Sequence, residues 1–342
     1  MIKKQNYLKH AIVLFLLLLL MQPERAWAAY ENVEFSSLTN HDGLTNSQVG
    51  AILKDTRGYI WFGTQSGLCR FDGFRMKTFY YINTDDKSLP NNSVDELQQD
   101  YGGNIWVHTS VGYCIYKYDE EQFERKPEEW LKNIHVQGPP YKLLIDKDKN
   151  MWIAVYGQGL YYHNAKTKNT YLFKFTKKAQ PGCLKEGNIS KITEVDGDAL
   201  ITYGDGTICR VNGQKQKVLW YNSFLATHKA AGDNGAYTFY DGIGGFWLSV
   251  SNANYVYQSK TGKWTDARSY LTNMGIDIPC PTRILMRDIA RDKAGNLWVA
   301  SDHNGLFFVD FKRKICRQYV HSEAKGSIVD NSLQKVYVDD EG

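Results

Sequence analysis

The sequence lacks most of the patterns that announce chemistry. No two of its six cysteines stand at Cys-x-x-Cys spacing, which removes the common zinc-site signature. After residue 28 no apolar run approaches the length of about 20 residues that a membrane helix needs. Helical stretches are scarce, and only Pro127-Glu128-Glu129-Trp130-Leu131-Lys132 reads as a turn or two of helix in a loop. An excess of one charge is missing too. The chain has 41 Lys and Arg against 37 Asp and Glu, a net of +4. Lys3, Lys4, Lys9, Arg25 and Glu24 all precede residue 28, and without them the net is +1. A near-neutral surface offers nucleic acid or an anionic membrane no electrostatic hold.

What is present begins with an export signal. Lys3, Lys4 and Lys9 form a basic start, Ala11 to Met21 is unbroken apolar sequence, and Ala26-Trp27-Ala28 is a small-x-small cleavage pattern. The run is short for a spanning helix, although an uncleaved N-terminal anchor is the alternative. Residues 1–28 are read as a signal peptide and 29–342 as an exported, periplasmic domain.

The rest of the chain repeats. Gly58-Tyr59-Ile60-Trp61-Phe62-Gly63-Thr64 returns as Gly103-Asn104-Ile105-Trp106-Val107, Asn150-Met151-Trp152-Ile153-Ala154, Gly245-Phe246-Trp247-Leu248-Ser249 and Gly295-Asn296-Leu297-Trp298-Val299. Trp61 to Trp106 is 45 positions, Trp106 to Trp152 is 46, and Trp247 to Trp298 is 51. Trp152 to Trp247 is 95 positions, two periods, with Leu200 standing where a Trp has been lost. The residue ten after each Trp is aromatic: Phe71, Tyr116, Tyr162, Tyr257 and Phe308. Periods of this size belong to solenoids, propellers or arrays.

Within one repeat, Val49–Lys54, Tyr59–Thr64, Leu68–Phe71 and Met76–Tyr81 are β-rich runs divided by Asp-Gly and Ser-Gly turns. Four short strands with turns at regular spacing predict an antiparallel unit, whose aromatic faces need a neighbouring sheet on each side. The predicted fold is therefore an all-β propeller of four-stranded blades. Blades are expected at about 44–88, 89–137, 138–186, 187–230, 231–278 and 279–328, with 329–342 opening a seventh. Trp61, Trp106, Trp152, Leu200, Trp247 and Trp298 are read as packing between blades, rather than as platforms for a sugar. Trp130, Trp220 and Trp264 fall outside the pattern and are the freer candidates for another role. Cys69, Cys114 and Cys209 occupy matching places on separate sheets, too far apart to bridge, and are expected as small buried thiols.

Leu44-Thr45-Asn46-Ser47-Gln48-Val49 before the first strand matches Leu89-Pro90-Asn91-Asn92-Ser93-Val94 and Ile328-Val329-Asp330-Asn331-Ser332-Leu333. With the Gly-x-Ile-Trp-x-Gly-Thr block, it resembles the two-component regulator propeller repeat over about residues 32–342. No Trp is followed by Asp, so the WD signature is absent. The resemblance implies the periplasmic sensor region of a hybrid two-component regulator of Bacteroides-like bacteria. Such a regulator would carry two seven-bladed propellers, a small β-sandwich, a membrane helix, a histidine kinase, a receiver and a DNA-binding module. By that comparison the chain reads as a truncated sensor. Asn32–Leu38 would supply an outer strand to the seventh blade begun near Leu333, with 30–40 and 329–342 loosely ordered in a strained ring.

A ligand is expected on the face where the loops leading into each first strand meet the hairpins between second and third strands. The repeated Asn46, Ser47, Asn92, Ser93, Asn188 and Ser190 are read chiefly as turn caps. Thr282, Arg283 and Ser251 share the face. The less repetitive Tyr156, Gln158, Tyr203, Asp205, Asn252, Asp302, His303 and Asn304 are the ligand candidates, suited by hydroxyl, amide and ring to a glycan or oligosaccharide. Asp146-Lys147-Asp148-Lys149-Asn150 has the rhythm of a calcium loop but no distal Glu, and is read as a turn. No catalytic residue, cofactor or metal is assigned. The expected partners are a glycan and the remainder of the regulator (second propeller, membrane helix and kinase), in a dimeric parent. The competing function is a secreted propeller enzyme, a glycan hydrolase using Asp205 and Asp302 or a lyase using His303 as base.

Overall fold

The computed structural model describes residues 33–177, 183–223, 237–250, 253–259, 261–280, 284–339 and 341. The signal-peptide assignment and the candidates Ser251, Asn252, Thr282 and Arg283 lie outside them. Six sheets follow one another along the chain, each a meander with its strands in sequence order. Blade one is Val49–Lys54, Ile60–Thr64, Gly67–Phe71 and Met76–Phe79; blade two is Val94–Gln99, Ile105–Thr109, Gly112–Lys117 and Gln122–Glu124. Blade three is Pro140–Ile145, Met151–Val155, Gly159–His163 and Thr170–Thr176, with Leu184–Lys185 added parallel to its fourth strand. Blade four is Ile189–Val195, Asp198–Tyr203, Ile208–Asn212 and Lys217–Asn222. Tyr237–Tyr240, Gly245–Val250, Ala253–Gln258 and Lys263–Asp266 form blade five, and Leu285–Arg291, Leu297–Asp302, Leu306–Asp310 and Ile315–Tyr319 form blade six. The molecule is an all-β propeller of six four-stranded blades.

One turn recurs in five of the six blades. Asp55 Oδ1 accepts the backbone N–H groups of Arg57 (2.9 Å) and Tyr59 (3.0 Å), while its Oδ2 accepts the indole N–H of Trp61 at 2.6 Å. The same indole-to-carboxylate bond, six residues back, joins Trp106 to Asp100 (3.0 Å), Trp152 to Asp146 (3.4 Å), Trp247 to Asp241 (3.1 Å) and Trp298 to Asp292 (3.1 Å). The carboxylate thus closes the turn and satisfies a buried donor that would otherwise cost free energy. Asp146, whose surroundings echo a calcium loop, is one of these turn residues. Blade four has lost both partners together. Leu200 replaces the Trp and Glu194 stands six residues before it.

Each repeated side chain faces the blade that follows it. Trp61 packs with Leu97, Ile105 and Val107 of blade two, and Trp106 with Leu143, Met151 and Ile153 of blade three. Trp152 packs with Ile192, Ala199 and Ile201 of blade four, and Leu200 with Phe246 and Leu248 of blade five. Trp247 packs with Met286, Leu297 and Val299 of blade six. These five residues are at most 3% exposed. Trp298 is half-buried.

The glycines that begin third strands are required by closeness. A Cβ on Gly159 or Gly305 would lie 2.1 Å from the carbonyl oxygen of Phe173 or Tyr319 on the fourth strand, and both residues have positive φ. Cys69, Cys114 and Cys209 are buried, and all six cysteines are free.

Three expectations are corrected. Trp130, Trp220 and Trp264 serve packing. Trp130 sets its ring edgewise 5.3 Å from Trp106, Trp220 lies 5.7 Å from Tyr257, and Trp264 pairs with Tyr257 at 5.0 Å. A helix at Ala267–Asn273, capped by Asp266 accepting from Ser269 N (3.0 Å), was not anticipated; its Tyr270 and Leu271 seal the seam between blades five and six. The loose order expected near both ends is replaced, among the described residues, by specific contacts. Phe35 N donates to Gly326 O at 2.9 Å and its ring meets Tyr319 at 5.4 Å. These repeat the contacts of Phe123 in the outer strand of blade two, which donates to Lys87 O at 2.8 Å and meets Phe79 at 5.6 Å. At the other end Leu333 N donates to Ser301 O (2.9 Å), Lys335 lies 3.7 Å from Asp288, and Lys54 reaches Asp339 at 3.2 Å. The two end segments are thus tied to blades six and one by these contacts, and neither contains an assigned strand.

Candidate functional site

Seven of the eight predicted ligand residues lie in the described part of the chain, and no one set of partners holds them. Tyr203 is buried and its hydroxyl has no partner. Asp205 is held by the ammonium of Lys185. Burial would raise its carboxyl, but the Lys185 and Thr207 hydrogen bonds outweigh that and hold it below the ordinary carboxylate range. Asp302 is bound by Ser332 and Arg287, which lower its carboxyl likewise. His303 is largely exposed, with Nδ1 2.9 Å from Ser332 Oγ. Asn304 donates to Cys280 Sγ at 3.6 Å, and Gln158 donates to Gln137 O at 2.9 Å. Asn252 lies outside the described residues. Both aspartates are thus ionised and engaged by a cation of their own, whereas the acid of a glycosidase needs a raised carboxyl.

Tyr156 alone reaches a cavity on the expected face. A groove of about 550 Å³ runs over blades two to four, lined by His108, Tyr113, Arg125, Pro139, Pro140, Tyr141, Lys142, Tyr156, Asn188 and Ser190 among others. Tyr156 sits on the hairpin after Met151–Val155 and is 68% exposed. Its ring lies flat on Tyr141, with centroids 3.9 Å apart and planes at 19°. Tyr141 is fixed in turn by accepting a hydrogen bond from Ile189 N at 3.4 Å. Pro140 opens the first strand of blade three and Tyr141 follows it, where blade one has Gly50.

Below the tyrosines lies a polar floor. Tyr113 donates to Glu96 Oε2 at 2.6 Å and accepts from Leu143 N at 3.1 Å. Lys142 meets the other Glu96 oxygen at 2.8 Å. Burial by itself would raise the Glu96 carboxyl, yet Lys142 and Tyr113 leave it lowered. His108 Nδ1 is 2.5 Å from Asp95. Arg125 donates from Nε to Ser88 O (2.9 Å) and from Nη2 to Asp85 O (2.8 Å) and Ser88 Oγ (2.7 Å). The groove thus combines one presented aromatic face with fixed donors and acceptors, a combination suited to a polar ring-shaped ligand. Its floor residues were missed in the sequence because they come from different strands, His108 from a second, Tyr113 from a third and Lys142 from a first. Only Tyr141 carried a signal, a departure from the repeat, since Gly50, Asp95 and Ser190 hold its place in other blades.

Of the repeated amides, Asn46 caps its own turn, its Oδ1 accepting from Gln48 N at 2.8 Å, whereas Asn92 Oδ1 accepts from Tyr81 N at 2.7 Å and the local cap there is Asn91, accepting from Ser93 N at 2.8 Å. A larger cavity of about 690 Å³ lies between blades three and four among Asn150, Asn164, Asn169 and Gln216. It is formed by the opposite set of turns, and Asn164 there caps its own turn, accepting from Thr167 N at 2.8 Å. Among the described residues no group of three or more His, Cys, Asp or Glu is arranged to hold a metal, and no helix is long and apolar enough to cross a membrane.

Residues 43–66 match the model of the two component regulator propeller family. Comparison with curated proteins gives no match. The structure is similar to the extracellular domain of a putative hybrid two component system from Bacteroides thetaiotaomicron, with a TM-score of 0.64 and 20% identity over 90% of this chain and 39% of that one. It is also similar to the extracellular domain of a putative one component system from the same organism, at a TM-score of 0.53 and 16% identity, covering 84% of this chain and 39% of that chain. This chain therefore spans about two fifths of the length of those domains. It is a β-propeller that matches the two component regulator propeller model over residues 43–66 and shares its fold with extracellular domains of putative hybrid two component and one component systems of Bacteroides thetaiotaomicron.

Proposed function

We propose that this chain is the ligand-sensing propeller of an exported regulator, and that a glycan or oligosaccharide binds the groove of blades two to four. The observation that carries this is Tyr156: a ring 68% exposed, held flat by Tyr141 above a floor of oriented polar groups. An exposed aromatic with no structural duty costs solubility, and a pre-positioned face needs no reordering when a sugar stacks on it. In the parent regulator the propeller would stand in the periplasm and pass the bound state to a second propeller, a membrane helix and a kinase in a dimer. No bond is made or broken in this assignment, in keeping with the lowered, cation-bound Asp205 and Asp302.

The test is a glycan array on the full chain, followed by calorimetry of the best binder. Tyr156→Ala is expected to weaken binding roughly 2- to 10-fold, the worth of one aromatic stack, with an unchanged melting temperature. Binding that is indifferent to Tyr156→Ala overturns the choice of groove, and an array with no binder overturns the glycan.

A further inference from the structure

The first strands of the blades surround a central channel, and one register position points into it from blade after blade. Ala51, Glu96, Lys142, Lys191 and Asp288 each pair one place before the residue opposite the second strand's Phe62, Val107, Ile153, Ile201 or Val299. Lys335 of the C-terminal segment joins them, and together they line a cavity of about 230 Å³. The carboxylates there are all engaged. Glu96 has Lys142 at 2.8 Å and Tyr113, Asp288 has Lys335 at 3.7 Å, and Asp95 has His108 at 2.5 Å. Lys191 is different. Among the described residues it has no hydrogen bond and no carboxylate within 4 Å; its ammonium rests 4.0 Å from the ring centroid of Phe239 in blade five.

We propose that the channel mouth is a binding site for a single carboxylate, taken up against Lys191. A ring face attracts an ammonium but supplies no counter-charge, so the Lys191 ammonium has no anion in contact although the lining as a whole balances three lysines with three carboxylates. One ammonium without a contacting anion offers a place for one carboxylate. The volume is below the 300–1,000 Å³ usual for drug-sized ligands, and so admits one small acid or one acidic sugar residue, not a chain of them.

The amine's protonation is set chiefly by its burial. Burial pushes Lys191 down to about 8, with Asp288 and Glu96 pulling it up and Lys335 and Lys142 pushing it down. It is thus mostly charged at pH 7 and mostly neutral at pH 9.5. An acid bound beside it is held at the lower pH and released at the higher. Lys142 lines both this cavity and the groove above it, but the proposal does not require a glycan in the groove.

The test is calorimetry of the full chain with D-galacturonate, with acetate as the bare carboxylate and D-galactose as the uncharged control. Galacturonate is expected to bind at pH 7 and roughly tenfold or more weaker at pH 9.5, as the ammonium is lost. Lys191→Gln is expected to remove binding at both pH values, and galactose to give none. Competition by acetate would identify the bare carboxylate as the ligand, and its failure would identify the acidic sugar. Galacturonate binding that ignores pH, or survives in Lys191→Gln, or is matched by galactose, overturns the proposal, as does no binding at pH 7. Should Lys191→Gln not fold, the pH comparison on the unaltered chain decides. The Tyr156→Ala experiment uses a different residue and no pH change, so either proposal can fail alone.

Discussion

At the scale of single residues, the pair that organises the fold is a Trp and the Asp six places before it. The Asp is satisfied by backbone N–H groups on one oxygen and by the indole on the other, so neither partner is buried alone. Trp106→Ala is expected to cost about 3–5 kcal/mol, the range for deleting a large buried aromatic. Trp298→Ala should cost distinctly less, because that ring is half-buried where the others are enclosed. Urea unfolding of the two variants checks the order, and equal losses would refute it. The Trp repeat was plain in the sequence because one residue type recurred at a near-constant period. The Asp was not read as its partner, since Asp before a Gly turn has a sufficient local explanation.

At the scale of elements, the ten-residue spacing from Trp to the next aromatic conceals two registers. Trp152 pairs directly with Tyr162, and Trp298 with Phe308. Trp61 pairs with Arg70 and Trp106 with Ile115, because their hairpins are shorter by one residue. A one-residue shift turns a side chain to the other face, so Tyr116 meets Trp61 of the preceding blade at 5.1 Å instead of its own Trp106. Spacing alone could not distinguish these cases. The hairpin of blade six also carries a pH-dependent tie. Ser332 and Arg287 lower the Asp302 carboxyl, so its contribution is complete above the unfolded value near 3.9 and is lost as pH falls through the lower folded one. Asp302→Asn is therefore expected to destabilise the protein at pH 7 and to flatten the fall in stability between about pH 5 and pH 2. An unchanged acid limb in thermal melts would show that the carboxylate tie contributes nothing.

At the scale of the molecule, six blades and their order were legible because each repeat states its own turns and strands. The groove was legible as a ligand site only at Tyr156, since the rest of it comes from first, second and third strands whose convergence depends on the ring. Closure follows the same logic. Phe35 repeats at one end of the chain the contacts that Phe123 makes inside blade two, but it is half-buried where Phe123 is 2% exposed. Phe123→Ala should cost about 3–5 kcal/mol and Phe35→Ala a fraction of that, with a change in Trp298 fluorescence only for Phe35. A larger loss for Phe35, measured by denaturant titration, would make the end segment the keystone of the ring.

The orientation of the large side chains gives the ring a direction in time as well as in space. Because Trp61, Trp106, Trp152, Leu200 and Trp247 are each covered by the blade that comes next, a chain emerging from the ribosome completes the strands of these blades before the surface that shelters their largest residue exists. Domains made N-terminal first expose such surfaces for as long as the next segment takes to appear. Each finished blade is therefore a sticky intermediate waiting for its successor, and translation or export that pauses between blades leaves an indole in water for a chaperone, or for another nascent copy, to find.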